Sequence, residues 1–354
     1  MEPPEPLRPR SSRVWAPRPA TVDHHAGQPP AALPQGAGVV TAVIWLAAVA
    51  IGFAVTVRAA AAAVTDATTL AHGTRLPPFF VGMTLLALGT DLPEIANSVV
   101  ASYTDHGDVN VGDSIGSAST QLTLVLGLLP FAGYAIPLGE RGSPLRRGQQ
   151  RTAWLTAVAL LAVAVLLHDH YIGRLDAGLL ILAWIAGSRL VYGAAATEIP
   201  PTPEEPVDSR RRLVGRLLVA IVAIGAGATL AVTGIIELAD HWGVPKFLIA
   251  FFGASIGTSL PELIVALTAI RRGETDLAIG DVLGSSFADA TLSVSIGPLL
   301  FPTAIDGDLA FAGACVAAGA AGIVALLLSR GSKHTRRKGT ILILIYATTW
   351  LIIL

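Results

Sequence analysis

From about residue 38 onward, the chain repeats apolar segments that are each long enough to cross a bilayer, which takes roughly 20 residues in a helix. Ten such segments are predicted, at about 38–62, 78–102, 110–133, 152–168, 173–194, 213–238, 246–270, 277–300, 308–329 and 339–354. Only helices and closed barrels satisfy the backbone in lipid, and segments of this length are typical of helices. The sequence therefore predicts an all-α membrane protein. Its 14% of charged residues would be too few for the surface of a soluble protein.

The regions between the segments suggest how the chain is organised. Residues 1–37 are rich in proline and arginine and are predicted to be a disordered tail. Residues 195–212 form a polar, proline-rich linker that separates a first half, 38–194, from a second half, 213–354. Most Arg and Lys residues lie in alternate connections, starting with the one after the first segment. The positive-inside rule then places those connections and the linker in the cytoplasm and both termini outside the cell membrane.

Charge and cysteine content exclude some classes of partner and site. The net charge of -1 gives no reason to expect nucleic acid as a partner. The single cysteine, Cys315, excludes an intramolecular disulfide and a multi-cysteine metal site, and its apolar surroundings predict a small core residue. No sequence feature specifies an oligomeric state.

Two short motifs each occur twice at one fixed offset. Gly-Thr-Asp-Leu-Pro-Glu at 89–94 matches Gly-Thr-Ser-Leu-Pro-Glu at 257–262, 168 residues later. Gly-Asp-Ser-Ile-Gly-Ser at 112–117 matches Gly-Asp-Val-Leu-Gly-Ser at 280–285 with the same offset. Eleven of the 29 positions in 89–117 are identical in the second copy, so the two halves are predicted to be repeats.

The number of segments between the copies predicts how the repeats are oriented. Equivalent residues are five segments apart, and five is odd, so the second copy enters the membrane from the opposite face. Two inverted five-helix repeats are typical of secondary transporters, whose site lies near the middle of the membrane where the copies meet.

Acidic residues within the apolar segments indicate what such a site would bind. Glu94 and Glu262 lie well inside their segments, and Asp91 and Asp289 lie nearby. A carboxylate at the centre of a membrane costs about 2.5–3.5 kcal/mol even on lenient scales. Since no Lys or Arg in these segments is placed to pair with them, bound cations are the predicted partners.

The neighbouring residues would supply further oxygen ligands. Pro93 and Pro261 interrupt the helices and should free carbonyl groups near Ala87 and Ser255. Helical spacing adds other oxygen-bearing residues to the same faces: Thr90, Ser117, Gln121 and Ser285. Oxygen ligands suit Ca²⁺, which accepts six to eight of them, and the lack of His and Cys argues against zinc or copper.

Asp113 and Asp281 allow two interpretations. Both lie near the predicted N-termini of helices, where the helix dipole favours a carboxylate. They could equally lie on a path followed by the cation. The sequence leaves both interpretations open.

The duplicated motifs resemble those of the calcium/cation antiporter superfamily, in particular its sodium/calcium exchanger branch. The resemblance is sequence-specific over about 82–121 and 250–289. It implies alternating access and no enzyme activity or cofactor, with Ca²⁺ and Na⁺ as transported ions. It also implies roles for individual residues: Glu94 and Glu262 as the main calcium ligands, backbone carbonyls of Thr90 and Thr258, sodium-binding hydroxyls of Ser117, Ser285 and Ser259, and Asp289 in an acidic position of the second half.

Some residues depart from the pattern of that branch. Asp91 stands where Ser is usual, Gln121 where Asn or Asp is usual, and Asp113 and Asp281 where Asn is usual. Because closely spaced carboxylates can carry protons, calcium/proton exchange is the main alternative to calcium/sodium exchange. Two further alternatives are a passive channel and an intramembrane aspartyl protease that uses Asp113 and Asp281.

Overall fold

A computed structural model of the protein describes residues 35–74, 76–132, 135–195, 207–241, 256–305 and 307–353. The predicted tail lies outside these ranges, except that residues 35–37 begin the first helix. The described residues form the helices α1 (Gln35–Thr74), α2 (Pro78–Thr90), α3 (Leu92–Tyr103), α4 (Gly107–Phe131), α5 (Pro144–Leu166), α6 (Arg174–Ala195), α7 (Val207–His241), α8 (Leu260–Arg271), α9 (Thr275–Leu300), α10 (Gly307–Ser329) and α11 (Arg336–Ile353).

Several of these helices are long and apolar enough to cross a membrane. Within the described ranges six qualify, and α2 and α3 together form a seventh that is bent by 46°. The six are the segments Thr41–Ala67, Gly107–Phe131, Pro144–Asp169, Arg174–Ala194, Thr275–Leu300 and Ala310–Ser329. The chain is therefore a multi-pass membrane protein.

Some helices begin earlier than hydropathy predicted. α5 begins at Pro144 rather than near 152, and the Ser143 side chain accepts a hydrogen bond from Arg146 N at 3.2 Å as its N-cap. The predicted linker is likewise helical from Val207. Hydropathy detects only the part of a helix that lies in lipid, so it misses charged first turns. The expectation for Cys315 was also wrong, since this residue is exposed on α10.

The helices of the two halves have matching bounds. α3 spans Leu92–Tyr103 and α8 spans Leu260–Arg271, an offset of 168 residues at both ends. α4 and α9 each continue for 14 residues before a π-helical turn, at Gln121–Val125 and at Asp289–Ser293. The sequence repeat is thus also a structural repeat.

The equivalent helices α1 and α7 run in opposite directions. Gly227 of α7 packs against Gly52 and Thr56, while Gly234 further along α7 packs against Trp45, earlier in α1. An ion pair between Arg216 Nη2 and Asp66 Oδ1, 2.9 Å apart, links the same two helices.

Two short antiparallel strand pairs join the halves at opposite ends of the helices. β1 (Ile136–Pro137) pairs with β4 (Lys333–His334), and β2 (Tyr171–Ile172) pairs with β3 (Thr303–Ala304). α5 runs from β1 to β2, whereas its equivalent α10 runs from β3 to β4, so these helices are antiparallel too. We call the two ends of the molecule the β1–β4 end and the β2–β3 end.

Two prolines leave carbonyl groups without their usual helical donors. Pro130 and Pro298 have no N–H to donate to the carbonyl four residues earlier. The first such carbonyl, Leu126 O, accepts instead from His334 Nε2 at 2.8 Å, so Nε2 carries the ring proton. The second, Val294 O, accepts from Asn110 Nδ2 at 3.0 Å. Each buried carbonyl is therefore satisfied by a side chain from the opposite half.

The burial of His334 predicts a stability that depends on pH. Desolvation lowers the pKa of His334 to about 4, from an unfolded value of about 6.5. The unfolded chain therefore protonates this imidazole more readily than the folded protein does. The stability that the neutral ring contributes is fully present above pH 6.5 and is lost as the pH falls to 4. The free energy of unfolding decreases by about 3 kcal/mol over this pH range. We expect the melting temperature of the purified protein to fall over this range and His334→Gln to show a smaller change. An identical pH profile in the variant would contradict this assignment.

Candidate cation site

The bend between α2 and α3 places the first acidic pair. α2 ends at Thr90, and Asp91 takes φ −77° and ψ 2° at the corner. Asp91 N–H donates to Ala87 O at 2.9 Å, and the next bond of the ladder, from Ile95 N–H to Asp91 O, measures 3.0 Å. Glu94 consequently lies in the first turn of α3, directly beyond the bend.

This geometry corrects the expectation for Ala87. Its carbonyl is not freed, because it accepts from Asp91 N–H and also from Thr90 Oγ1 at 3.1 Å. Pro93 has no N–H to donate to the carbonyl four residues earlier, which is that of Gly89. The equivalent prediction for Ser255 lies outside the described residues.

The second copy repeats the corner before α8. Ser259 takes φ −84° and ψ 4°, and its carbonyl accepts from Leu263 N–H at 3.2 Å. Glu262 lies in the first turn of α8, as Glu94 does in α3. The Ser259 side chain is buried, and its hydroxyl has no hydrogen-bond partner among the described residues.

Hydroxyl groups connect each corner to the other half. Thr90 Oγ1 lies 3.3 Å from Ser285 Oγ, and Thr258 Oγ1 lies 3.0 Å from Ser117 Oγ. Adding the repeat offset to Thr90 gives Thr258, and adding it to Ser117 gives Ser285. The two contacts are therefore equivalent and exchange under the internal symmetry.

The structure brings the four predicted acids together. Asp91, Glu94, Glu262 and Asp289 are all 0% exposed, so none of them faces lipid. Electrostatic repulsion couples Glu94 to the other three carboxylates. Glu94, Glu262 and Asp289 lie on α3, α8 and α9, and Asp91 lies at the corner between α2 and α3, so residues of both halves form a single buried centre.

Among the described residues, the acids in this centre have no partner that could compensate their charge. None of their eight carboxylate oxygens accepts a well-formed hydrogen bond from the described residues. Ser285 is a hydrogen-bond donor near Asp91, and Ser293 and Gln121 are near Asp289. The ion pair found in the described part of the chain, Arg216 with Asp66, involves other residues. Buried carboxylates of this kind are stable when protonated or when they coordinate a cation.

Gln121 and Ser293 complete the polar lining near Asp289. Both side chains are buried, and neither the Gln121 amide nor the Ser293 hydroxyl has a hydrogen-bond partner among the described residues. The sequence predicted Gln121 but missed Ser293. Ser293 lies four residues after Asp289, the same helical spacing that singled out the other ligands.

Asp113 and Asp281 are not at helix N-termini. α4 begins at Gly107 and α9 at Thr275, so both aspartates lie beyond the first turn, where the helix dipole no longer stabilises a carboxylate. The capping interpretation is therefore wrong. Asp113 instead accepts a hydrogen bond from Asn97 Nδ2 at 2.7 Å, and Asn97 belongs to neither duplicated motif.

Close packing of α2 on α9 holds the two halves together beside the acids. A Cβ on Gly280 would overlap Phe79 O, and a Cβ on Gly284 would overlap the backbone of Met83. Glycine is required at these positions because the two backbones touch.

The chain is similar in sequence to several known proteins. A sequence model of the family described as "Sodium/calcium exchanger protein" matches residues 44–192 and 212–354. The chain is 29% identical over 279 residues to the "Putative antiporter CaxA" of Alkalimonas amylolytica, covering 74% of this chain and 82% of that protein. It is 24% identical over 321 residues to the "Sodium/calcium exchanger MaX1" of Methanosarcina acetivorans, covering 80% and 91%.

The fold also has a counterpart among solved structures. It matches the sodium-calcium exchanger NCX_Mj soaked with 10 mM Na⁺ and zero Ca²⁺, with a TM-score of 0.73, 24% identity, and coverage of 88% of this chain and 99% of that one. This likeness concerns the fold alone, whereas the sequence model covers most of the chain and includes both copies of the motif. The chain therefore belongs to the sodium/calcium exchanger protein family.

Proposed function

We propose that this protein is a secondary antiporter that exchanges Ca²⁺ for Na⁺ across the cell membrane by alternating access. The observation that carries the proposal is the centre formed by Asp91, Glu94, Glu262 and Asp289, which is fully buried and has no basic partner among the described residues. The family is a transporter family, and the centre has the oxygen chemistry of a hard-cation site rather than that of an enzyme.

The ligand assignment combines the geometry of the two corners with the residue roles that the family resemblance implies. Glu94 and Glu262, at equivalent places in α3 and α8, would bind Ca²⁺ through both carboxylate oxygens. Asp91, Asp289 and Gln121 would complete the centre. The backbone carbonyls of Thr90 and Thr258 would face Ca²⁺, and the hydroxyls of Ser117, Ser285 and Ser259 would line flanking sodium positions.

Alternating access would follow from two inverted five-helix halves, ten helices in all. The antiparallel packing of α1 on α7 and of α5 on α10 supports this inversion. Arginine and lysine accumulate near the β1–β4 end, which would place that end in the cytoplasm and both termini outside.

A flux experiment tests the proposal. The purified protein is reconstituted into vesicles loaded with Na⁺, and Ca²⁺ uptake is measured after dilution into Na⁺-free buffer. We expect uptake that requires the outward sodium gradient. Equal Ca²⁺ uptake in vesicles without a sodium gradient would indicate a channel and contradict the proposal.

Proton coupling is the second candidate, and Asp91 is the observation that favours it. This carboxylate is fully buried, and its repeat equivalent is the neutral Ser259. Electrostatic repulsion couples it to Asp289 and Glu262, so a proton could replace a metal ion in balancing the charge.

Replacing Asp91 with serine makes the two corners alike. We expect Asp91→Ser to shift the ratio of sodium-driven to proton-driven Ca²⁺ uptake about tenfold toward sodium, the factor that corresponds to about 1.4 kcal/mol of ion-binding free energy. The measurement compares uptake under a sodium gradient with uptake under a pH gradient in the same vesicle preparation. An unchanged ratio would exclude Asp91 from the coupling step.

A further inference from the structure

Asp113 and Asp281 lie on opposite sides of the buried centre. α4 begins at the β2–β3 end, where Gly107 packs against Ala304, and it ends near β1. α9 runs the other way and ends just before β3. Asp113 precedes Ser117 by four residues on α4, and Asp281 precedes Ser285 by four on α9. Each aspartate is therefore about 6 Å along its helix from that serine, and the two are displaced toward opposite ends of the molecule.

The surroundings of the two aspartates differ. Asp113 is 8% exposed; its Oδ2 accepts from Asn97 Nδ2 at 2.7 Å and its Oδ1 from Thr258 Oγ1 at 3.3 Å. Asp281 is 0% exposed, and neither oxygen has a hydrogen-bond partner among the described residues. The repeat equivalent of Asn97 is Val265, which is 0% exposed and carries no donor.

These differences indicate which side of the centre is more accessible. Asn97 and Thr258 are partly exposed, so the β2–β3 side is not fully closed. On the β1–β4 side, Val265, Asp281 and Thr90 are all buried. Alternating access would reverse this pattern and bring Asp281 into contact with solvent.

We propose that Asp113 and Asp281 are side-specific cation-binding residues. Asp113 binds hard cations that arrive from the β2–β3 end, and Asp281 binds those that arrive from the β1–β4 end. Each then passes its ion to the centre. This inference rests on the proposed exchange function and adds one access subsite on each side of it.

Electrostatics connects each subsite to the centre. Asp113 is close enough to Glu94 for their negative charges to repel each other, and Asp281 is close enough to Glu262 and Asp91. A cation at either subsite is therefore attracted by the acids of the centre as well. A cleft lined with one sign of charge concentrates its counter-ions, which raises the rate at which they bind.

Asn97 makes the two subsites chemically unequal. Its amide holds one oxygen of Asp113, whereas both oxygens of Asp281 remain available for an ion. The two ends of the protein are therefore expected to have different apparent affinities for Ca²⁺. Asn97→Val copies the residue of the other half and should bring the two affinities closer together.

The test measures the half-saturating Ca²⁺ concentration separately at each end. Protein orientation in the vesicles is determined with a membrane-impermeant maleimide on the Cys315→Ser, Ser332→Cys variant, whose one cysteine lies near the β1–β4 end. We expect Asp113→Asn to raise the half-saturating concentration about tenfold at the β2–β3 end and little at the other end, and Asp281→Asn to do the reverse. Both effects should shrink in high salt, which screens the attraction.

The outcomes separate this inference from the proposed function. If Asp113→Asn or Asp281→Asn changes the half-saturating Ca²⁺ concentration equally at both ends, or at neither end, the side-specific role is overturned, even if Glu94→Gln abolishes exchange. Wild-type exchange in Glu94→Gln would instead refute the proposed centre. If Asp113→Asn elutes as aggregate in size-exclusion chromatography, Asp113→Ser removes the same charge and takes its place in the test.

Discussion

Replacing Glu94 or Glu262 with glutamine is expected to lower Ca²⁺ exchange by about two orders of magnitude, because each change removes a charged ligand from the proposed calcium site. Glutamine keeps the size of the side chain and removes the buried charge. Folding should therefore be preserved or slightly improved, since both carboxylates lack compensating partners among the described residues. The measurements are sodium-driven ⁴⁵Ca²⁺ uptake in vesicles and the melting temperature of the purified variants.

Glu237 provides a matched control for these substitutions. It is an exposed glutamate of α7. Glu237→Gln changes the same chemical group outside the centre and should leave uptake near the wild-type rate. Wild-type uptake in either Glu94→Gln or Glu262→Gln would refute the site, and a comparable loss in Glu237→Gln would point to a general effect of charge.

Replacing Gly284 with leucine is expected to prevent correct packing of the two halves. A Cβ at this position would overlap three backbone atoms of Met83, so α2 would have to move away from α9. Overpacking a tight interface typically costs about 1–3 kcal/mol, and more when the backbone itself must shift. We expect a large loss of monodisperse protein in size-exclusion chromatography and a lower melting temperature for any protein recovered.

Gly319→Leu is the control for this prediction. Gly319 is an exposed glycine of α10, and nothing in the described part of the chain lies within 4 Å of a Cβ placed there. The leucine would face lipid at this site and should be tolerated. Equal melting temperatures for Gly284→Leu and the wild type would show that the α2–α9 contact is less constrained than the structure indicates.

The sequence was most informative where glycine, proline and acidic residues lie close together. The motif at 89–94 and its copy at 257–262 predicted the bend and the placement of Glu94 and Glu262, because such residues are costly inside a membrane unless they serve the site. Helix ends were predicted less well. The first turn of α5 carries Arg146 and Arg147, and hydropathy assigned this turn to a loop.

Other features depend on tertiary contacts that sequence spacing cannot show. The capping interpretation of Asp113 failed because α4 begins several residues earlier than its apolar segment. The bond from Asn97 to Asp113 joins different helices, so no local pattern indicated it. The expectation for Ala87 failed because the helical ladder continues as far as Asp91, whose N–H donates to the Ala87 carbonyl.

The carbonyls of Leu126 and Val294 show how far the halves can diverge. Both carbonyls need one N–H donor. The His334 imidazole supplies it to Leu126, and the Asn110 carboxamide supplies it to Val294. Glu94 and Glu262, by contrast, are the same residue in both halves. A scaffold contact that needs only one N–H can thus be rebuilt with different chemistry, which makes Asn110 and His334 suitable starting points for redesigning one half without touching its ion ligands.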